Sequence, residues 1–345
     1  MPLANTIHHS SFLYNQFKKL NLCKFYSNRV INHLMSILIS IFISGYHGKI
    51  TDFAKSSSCH RTTIAHFLNS GKWNDSLLSD ALKQAVIEII YSEAARTGKP
   101  VFCIVDDTIA SKTKPSSRAL HPIEDAYFHR SHLKKKQDYG HQAVAVILSC
   151  NGIVLNYAFV MYNKSISKID IVQNIAKELP VPPAMSYFLC DCWYVSEKII
   201  NAFAQKGFHT IGALKTNRLL YPSGMKKKLS ELAAELSVTH NGFDLATVKK
   251  RKYYVYRWSI EIFFRQCKDK MALDGYQLRS AQGIKRYWLL MSLAHFMRIA
   301  GTGEFCSFET GYHKICGIVQ LEKYRYLFQC AKESNDFDSF IKLAG

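Results

Sequence analysis

The sequence predicts an α/β chain: a mixed sheet with helices on both faces, preceded by an all-helical region. Three observations predict it. Five short apolar runs read as strands: VFCIVDDT (101–108), QAVAVILSC (142–150), GIVLNYAFVMY (152–162), MSYFLC (185–190) and FHTIGALK (208–215). Helical segments separate the later runs, so the order is strand, strand, strand, helix, strand, helix, strand, helix. Residues 1–99 read as helical before the character changes at Pro100.

Taken in order, Val30 to Ile43 is an apolar helix ended near Gly45. Its apolar core of about ten residues is too short to span a bilayer. Ile50, Phe53 and Ala54 make a short amphipathic helix, broken by Ser56 to Ser58. A second helix starts near Ser58, with Ile64, Phe67 and Leu68 inward. Residues 50–73 thus have the pattern of a helix-turn-helix, with His60, Arg61 and Thr62 on the outer face. A plain helical hairpin fits them equally well. Ser79 to Thr97 is an amphipathic helix closed by Gly98 and Pro100.

Strand 101–108 ends in Asp106 and Asp107, and a polar, basic loop from Ser111 to Gly140 follows. His129, His132 and His141 read as solvated loop residues beside Lys134 to Lys136. Asn151-Gly152 is a tight hairpin turn. Ile169 to Leu179 is a helix stopped by Pro180, and strand 185–190 runs into Asp191. Trp193 and Tyr194 suit packing at the start of the next helix, Val195 to Lys206, better than base stacking. Met225 to Leu236 looks helical, while KKRKYYVY (249–256) has strand-like composition. Lys249 to Lys252 reads equally as a phosphate track or a solvated run. Tyr287 to Ala300 and 308–332 are further helices.

Composition narrows the function. A formal charge of +19 over 345 residues suits a polyanionic partner, and 48% hydrophobic residues exclude global disorder. The ten cysteines form no C-x2-C pair, which speaks for reduced thiols in a cytosolic protein and against a zinc site. No secretory signal, Gly-rich phosphate loop, HExxH or G-x-S-x-G is present.

The segment YVYRWSIEIFFRQCK (254–268) carries the chemistry. On a helix turning about 100° per residue, taking Tyr254 as zero, Arg257 falls near −60°, Glu261 near −20°, Lys268 near −40° and Arg265 near +20°. One carboxylate, three cations and a phenol share a stripe, while Ile260 and Phe263 turn inward. Asp106 or Asp107, Asp191 and Glu261 form a set of hard oxygen donors suited to two Mg²⁺ or Mn²⁺ ions. The flanking cations would hold a phosphodiester backbone.

These residues carry a resemblance. Y-x2-R-x3-E-x6-K over Tyr254, Arg257, Glu261 and Lys268, the Asp-Thr pair 107–108 and CDCWYVS (190–196) resemble the DDE transposases of bacterial insertion sequences. More narrowly they resemble the "insertion sequence four" group, over about residues 50 to 300. The resemblance implies an RNase H-like core formed by 100–215 and 256–300, between a helical DNA-binding region (1–99) and a C-terminal helical region (301–345). It implies Asp107, Asp191 and Glu261 as catalytic, metal-holding triad, with Asp106 the rival for first place. Tyr254, Arg257, Arg265 and Lys268 would contact DNA. It implies metal-dependent cleavage at element ends, then strand transfer, by a homodimer on double-stranded DNA in the bacterial cytoplasm at the nucleoid, with no membrane partner. The family usually carries a longer strand-rich insertion than the 216–255 found here, which puts full transposition in question. The competing readings are a decayed copy that only binds DNA, and an RNase H-like nuclease that cuts without joining.

Overall fold

The computed structural model describes residues 10–43, 46–55, 57, 59–131, 134–215, 217–221, 224–231 and 253–344. Its centre is one mixed sheet of six strands: β1 (Val101–Ser111), β2 (Tyr127–Ser131), β3 (Lys136–Cys150), β4 (Ile153–Tyr162), β5 (Ser186–Cys190) and β6 (Phe208–Gly212). β3 lies antiparallel to β1, and its other edge takes β2 on residues 136–140 and β4 on 142–150. β5 and β6 follow β1 in parallel. α7 (Lys168–Glu178) and α8 (Glu197–Ala204) make the crossovers that parallel pairing requires. The result is the α/β mixed sheet with flanking helices that the sequence predicts.

Every strand of the sequence reading is present, and two of them run longer. β1 continues to Ser111 because β3 pairs with it as far as Ser111–Gly140. Asp106 and Asp107 are therefore inside a strand, not at its end. Asn151 and Gly152 both take positive φ, 50° and 84°, which the two-residue turn needs. β2 falls where a loop is expected. That strand and the extension of β3 enclose His129 and His141, 6% and 0% exposed, so these histidines are core residues rather than solvated ones. His141 bonds Tyr276 Oη at 2.7 Å through Nδ1 and the Glu124 carbonyl at 2.8 Å through Nε2. His132 lies outside the described residues.

The helical region comprises α1 (Ser11–Lys19), α2 (Leu22–Phe25), α3 (Asn28–Phe42), α4 (Ile50–Lys55), α5 (Arg61–Asn69) and α6 (Asp75–Thr97). Ser10, Ser27, His60 and Asn74 each accept a backbone N–H at their helix start. Phe53, Ile64 and Leu68 are buried as their spacing predicts. The remaining helices are α9 (Trp258–Met271), α10 (Ala281–Ala300), α11 (Phe308–Lys332) and α12 (Phe337–Ala344). α10 is apolar nearly all round and packs against α3, α5, α6, α11 and β4. One hydrophobic cluster therefore runs from Leu13 through the sheet to Val319. Buried leucines of this kind contribute about 1.5–3 kcal/mol each. α11 approaches α10 so closely that a Cβ on Gly311 would stand 1.5 Å from the Arg298 carbonyl oxygen.

Between β6 and α9 the described residues hold β7 (Leu219–Leu220) paired with β8 (Lys227–Lys228), then a helical start at 229–231. The expected helix from Met225 thus begins later, and its remainder lies outside the described residues, as do Lys249 to Lys252. The strand-like stretch is helical where described: Val255–Arg257 is a 3₁₀ turn leading into α9. No helix among the described residues is long and apolar enough to cross a membrane.

Candidate active site

β1 and its parallel neighbour β5 set the site. Ile104 pairs with Leu189 and Val105 with Cys190. Side chains alternate along a strand, so Phe102, Ile104 and Asp106 share one face. Continuing the register by one step, Asp191 follows Tyr187 and Leu189 onto that same face. The rings mark it: Phe102 stacks on Tyr187 at 5.8 Å and on Tyr256, just ahead of α9, at 4.5 Å. Asp107 takes the opposite face.

On the α9 face, Arg257 Nη1 donates to Asp106 Oδ2 at 2.8 Å, and its Nη2 lies 3.7 Å from Glu261 Oε1. One guanidinium thus sits between two of the acids. The helical spacing of Arg257 and Glu261 does what the stripe predicts, and Ile260 and Phe263 are buried as expected. Tyr254 closes the group, its ring 5.9 Å from that guanidinium and its hydroxyl donating to the Cys190 carbonyl at 3.4 Å. Asp191 Oδ1 accepts the N–H groups of Trp193 at 2.9 Å and Tyr194 at 3.3 Å, which fixes the turn after β5. Burial pushes the Asp106 carboxyl up to about 7, helped by the charges of Asp107 and Asp191 and opposed by the Asp107 N–H bond and Arg257.

On the opposite face Asp107 is fully engaged. Its Oδ2 accepts from Lys168 Nζ at 2.7 Å and from the Tyr194 hydroxyl at 2.9 Å, and its Oδ1 accepts from Gln142 Nε2 at 2.7 Å. Tyr194 is wholly buried, as packing at a helix start requires, while Trp193 is 57% exposed. Lys168 and Gln142 escape a motif search because helix and strand contribute one residue each, while Tyr194 stands in the CDCWYVS segment with nothing in the sequence to say that its hydroxyl reaches Asp107. The alternation of β1 puts Asp106 and Asp107 on opposite faces, and the packing of α9 on one of them is what tells the two apart.

The structure thus brings together Asp106, Asp191, Glu261, Arg257 and Tyr254, and leaves Asp107 on the far side of the strand. Arg265 is exposed and Lys268 half-buried on α9. His60, Arg61 and Thr62 are exposed at the start of α5, where His60 Nδ1 lies 2.9 Å from Thr62 Oγ1. Among the described residues no three His, Cys, Asp or Glu stand close enough to hold a metal ion. The donor chemistry of the three acids nonetheless fits a hard divalent cation.

Residues 97–297 match the family model of the transposase DDE domain. The chain belongs to the DDE transposase family. DDE transposases generally use divalent metal ions. Asp106, Asp107, Asp191 and Glu261 all fall inside the family match, and His60 to Thr62 fall outside it. Among solved structures, a cryo-EM structure of the piggyBac transposase synaptic complex with hairpin DNA is similar at 10% identity and a TM-score of 0.43, over 97% of this chain and 82% of that chain. At that score the likeness carries no argument. No curated relative matches the chain.

Proposed function

We propose that this DDE transposase cuts DNA at the ends of a bacterial insertion sequence and joins the freed 3′ ends to target DNA, with Asp106, Asp191 and Glu261 as its catalytic acids. The single observation that carries the triad is the shared face of β1, β5 and α9, on which Arg257 lies between Asp106 and Glu261. Asp107, the first acid expected from the sequence, becomes a positioning residue. It holds Tyr194, and through it the turn that carries Asp191.

Asp106, Asp191 and Glu261 would hold Mg²⁺ or Mn²⁺, which supplies a deprotonated attacking oxygen and stabilises the leaving oxygen. Tyr254 and Arg257, beside the acids, orient the phosphodiester. Lys268 and Arg265 extend the grip along α9, and His60, Arg61 and Thr62 provide a separate DNA contact at the start of α5. The two ends of the element are held by a homodimer on double-stranded DNA in the bacterial cytoplasm. Support comes from the family match, the +19 charge and the clustering of acids with cations.

The test is cleavage of labelled element-end DNA in Mg²⁺. Asp106→Asn, Asp191→Asn and Glu261→Gln each lower cleavage at least about hundred-fold, while Asp107→Asn retains measurable cleavage. Full cleavage by Asp106→Asn, together with none by a folded Asp107→Asn, would return the first place to Asp107. Nicking without strand transfer by the unaltered protein would reduce the function to a nuclease.

A further inference from the structure

We propose that Arg257 is a place-holding cation: its guanidinium bridges Asp106 and Glu261, and it is released to the DNA backbone when those acids take a divalent ion. This rests on the reading of Asp106, Asp191 and Glu261 as the acids that hold the ion.

The contacts define the competition. Arg257 Nη1 donates to Asp106 Oδ2 at 2.8 Å, and Nη2 lies 3.7 Å from Glu261 Oε1. One guanidinium therefore spans two acids that are to share an ion. The other Asp106 oxygen, Oδ1, already accepts the Asp107 N–H at 2.8 Å. The oxygen left for a metal is Oδ2, and the arginine holds it. Asp191 differs: its Oδ1 takes the Trp193 and Tyr194 N–H groups, and among the described residues no side-chain cation pairs with it. A hard divalent ion takes carboxylate oxygens at about 2.0–2.6 Å. A guanidinium bonded to the same oxygen would face that dication across a few ångströms, and like charges at that range repel strongly. The Arg257 and Asp106 side chains are only 19% and 17% exposed, so water and salt screen the repulsion little. Ion and arginine exclude each other at Oδ2.

The place of Arg257 sets where it goes. It ends the 3₁₀ turn that leads into α9, and its long side chain reaches other rotamers without any change in the helix. The Tyr254 ring, 5.9 Å from the guanidinium, offers an aromatic face on its way. Arg265 and Lys268 lie farther along α9, so the freed guanidinium joins cations that already extend from the acids. A guanidinium pairs with phosphate oxygens through two parallel bonds. The coupling is reciprocal: a phosphate that draws Arg257 away opens Oδ2 to the ion. Off DNA the arginine neutralises the acids in place of metal, and on DNA the acids load.

Two binding measurements read the exchange with no cleavage involved. Mn²⁺ is titrated into the full chain without DNA, and the free ion is followed by electron paramagnetic resonance. Arg257→Ala raises Mn²⁺ affinity about five-fold or more, the scale of an ordinary coupling between sites. Affinity for a fluorescein-labelled element-end duplex is measured in EDTA. Asp106→Asn, which lets the arginine go, tightens it about five-fold more than Asp191→Asn, which removes a neighbouring charge and frees nothing. In an Arg257→Ala background the two aspartate variants no longer differ. Should Arg257→Ala not fold, Arg257→Gln, which keeps part of the stem and drops the charge, replaces it in both measurements. Equal Mn²⁺ affinity with and without the arginine, or equal tightening by Asp106→Asn and Asp191→Asn, overturns the exchange and leaves the three acids standing. Failure of both the unaltered chain and Arg257→Ala to bind Mn²⁺, with or without the duplex, sinks the metal-holding acids themselves, and the exchange with them.

Discussion

Asp106 and Asp107 are neighbours in sequence and differ in almost everything else. Asp106 is half-buried and held by one guanidinium and the Asp107 N–H; Asp107 has a lysine, a phenol and an amide. Removing Arg257 leaves a partly buried carboxylate facing Asp191 without its cation. Arg257→Ala therefore costs about 1–3 kcal/mol of stability, measured as a shift of the urea midpoint at constant slope. Asp106→Asn on top of it recovers part of that loss, because the stranded charge is gone, so the two substitutions couple by about 1 kcal/mol or more in a double-mutant cycle. Strict additivity would mean that the pair is incidental. Tyr194→Phe removes the hydroxyl from Asp107 and keeps the ring. Its expected cost is about 1–2 kcal/mol, with reduced cleavage and unchanged duplex affinity. Reduced duplex affinity would make Tyr194 part of the DNA grip. The sequence leaves the choice between the two aspartates open for a physical reason. Alternation puts adjacent strand residues on opposite faces, but which face receives the glutamate helix is decided by tertiary packing.

At the scale of elements, the parts built on local pattern were legible and those built on distant partners were not. The apolar runs of β1, β3, β4, β5 and β6, the Asn151-Gly152 turn and α11 follow from periodicity, turn chemistry and caps. β2 has little apolar alternation, and forms because β3 extends past Gly140 and offers it an edge. The burial of His129 and His141 follows from that pairing and from no property of the loop sequence. α10 shows the same limit: it begins at Ala281, ahead of the Tyr287 at which the apolar reading starts, and its added turn carries Arg286, only 5% exposed. It donates to the carbonyls of Phe67 at 3.2 Å, Leu68 at 3.1 Å and Trp73 at 2.9 Å, and lies 4.6 Å from the Trp73 ring. Arg286 thus satisfies the end of α5 and joins the helical region to the sheet layer. Arg286→Ala leaves three carbonyls without this donor and costs about 2–4 kcal/mol by urea unfolding. Arg286→Lys does not restore it, since an ammonium lacks the planar fork. A variant with unaltered stability would mean that α5 is held by its apolar face alone.

The whole molecule combines a strongly basic surface with a core that hides ionisable groups. Each described charge bears on how far the fold tolerates acid, because a net +19 already opposes compaction. Burial lowers the pKa of His33, His129 and His141, and in His295 the same burial, reinforced by the Arg298 charge, brings it down to about 3 from 6.5. The sign follows directly. Below about pH 6.5 an unfolded histidine takes up a proton that the buried one refuses until pH falls to about 3. The unfolded state therefore binds more protons across that window, and stability falls as acid is added. His295 contributes about 1.4 kcal/mol per pH unit where the two states are fully separated. His295 Nε2 meets Gln266 Oε1 at 3.1 Å, so a neutral, non-titrating His295→Asn removes the proton linkage at that position. Urea unfolding at pH 6.0, 5.25 and 4.5 is the measurement, with the variant compared to the unaltered chain so that carboxylate titration cancels. The variant starts less stable because the packing around a 1% exposed residue is disturbed. Its stability then falls less steeply with acid, by about 1.4 kcal/mol per pH unit, until the two curves converge. Parallel curves would mean that His295 is protonated in the folded state, with Gln266 Oε1 accepting from an imidazolium.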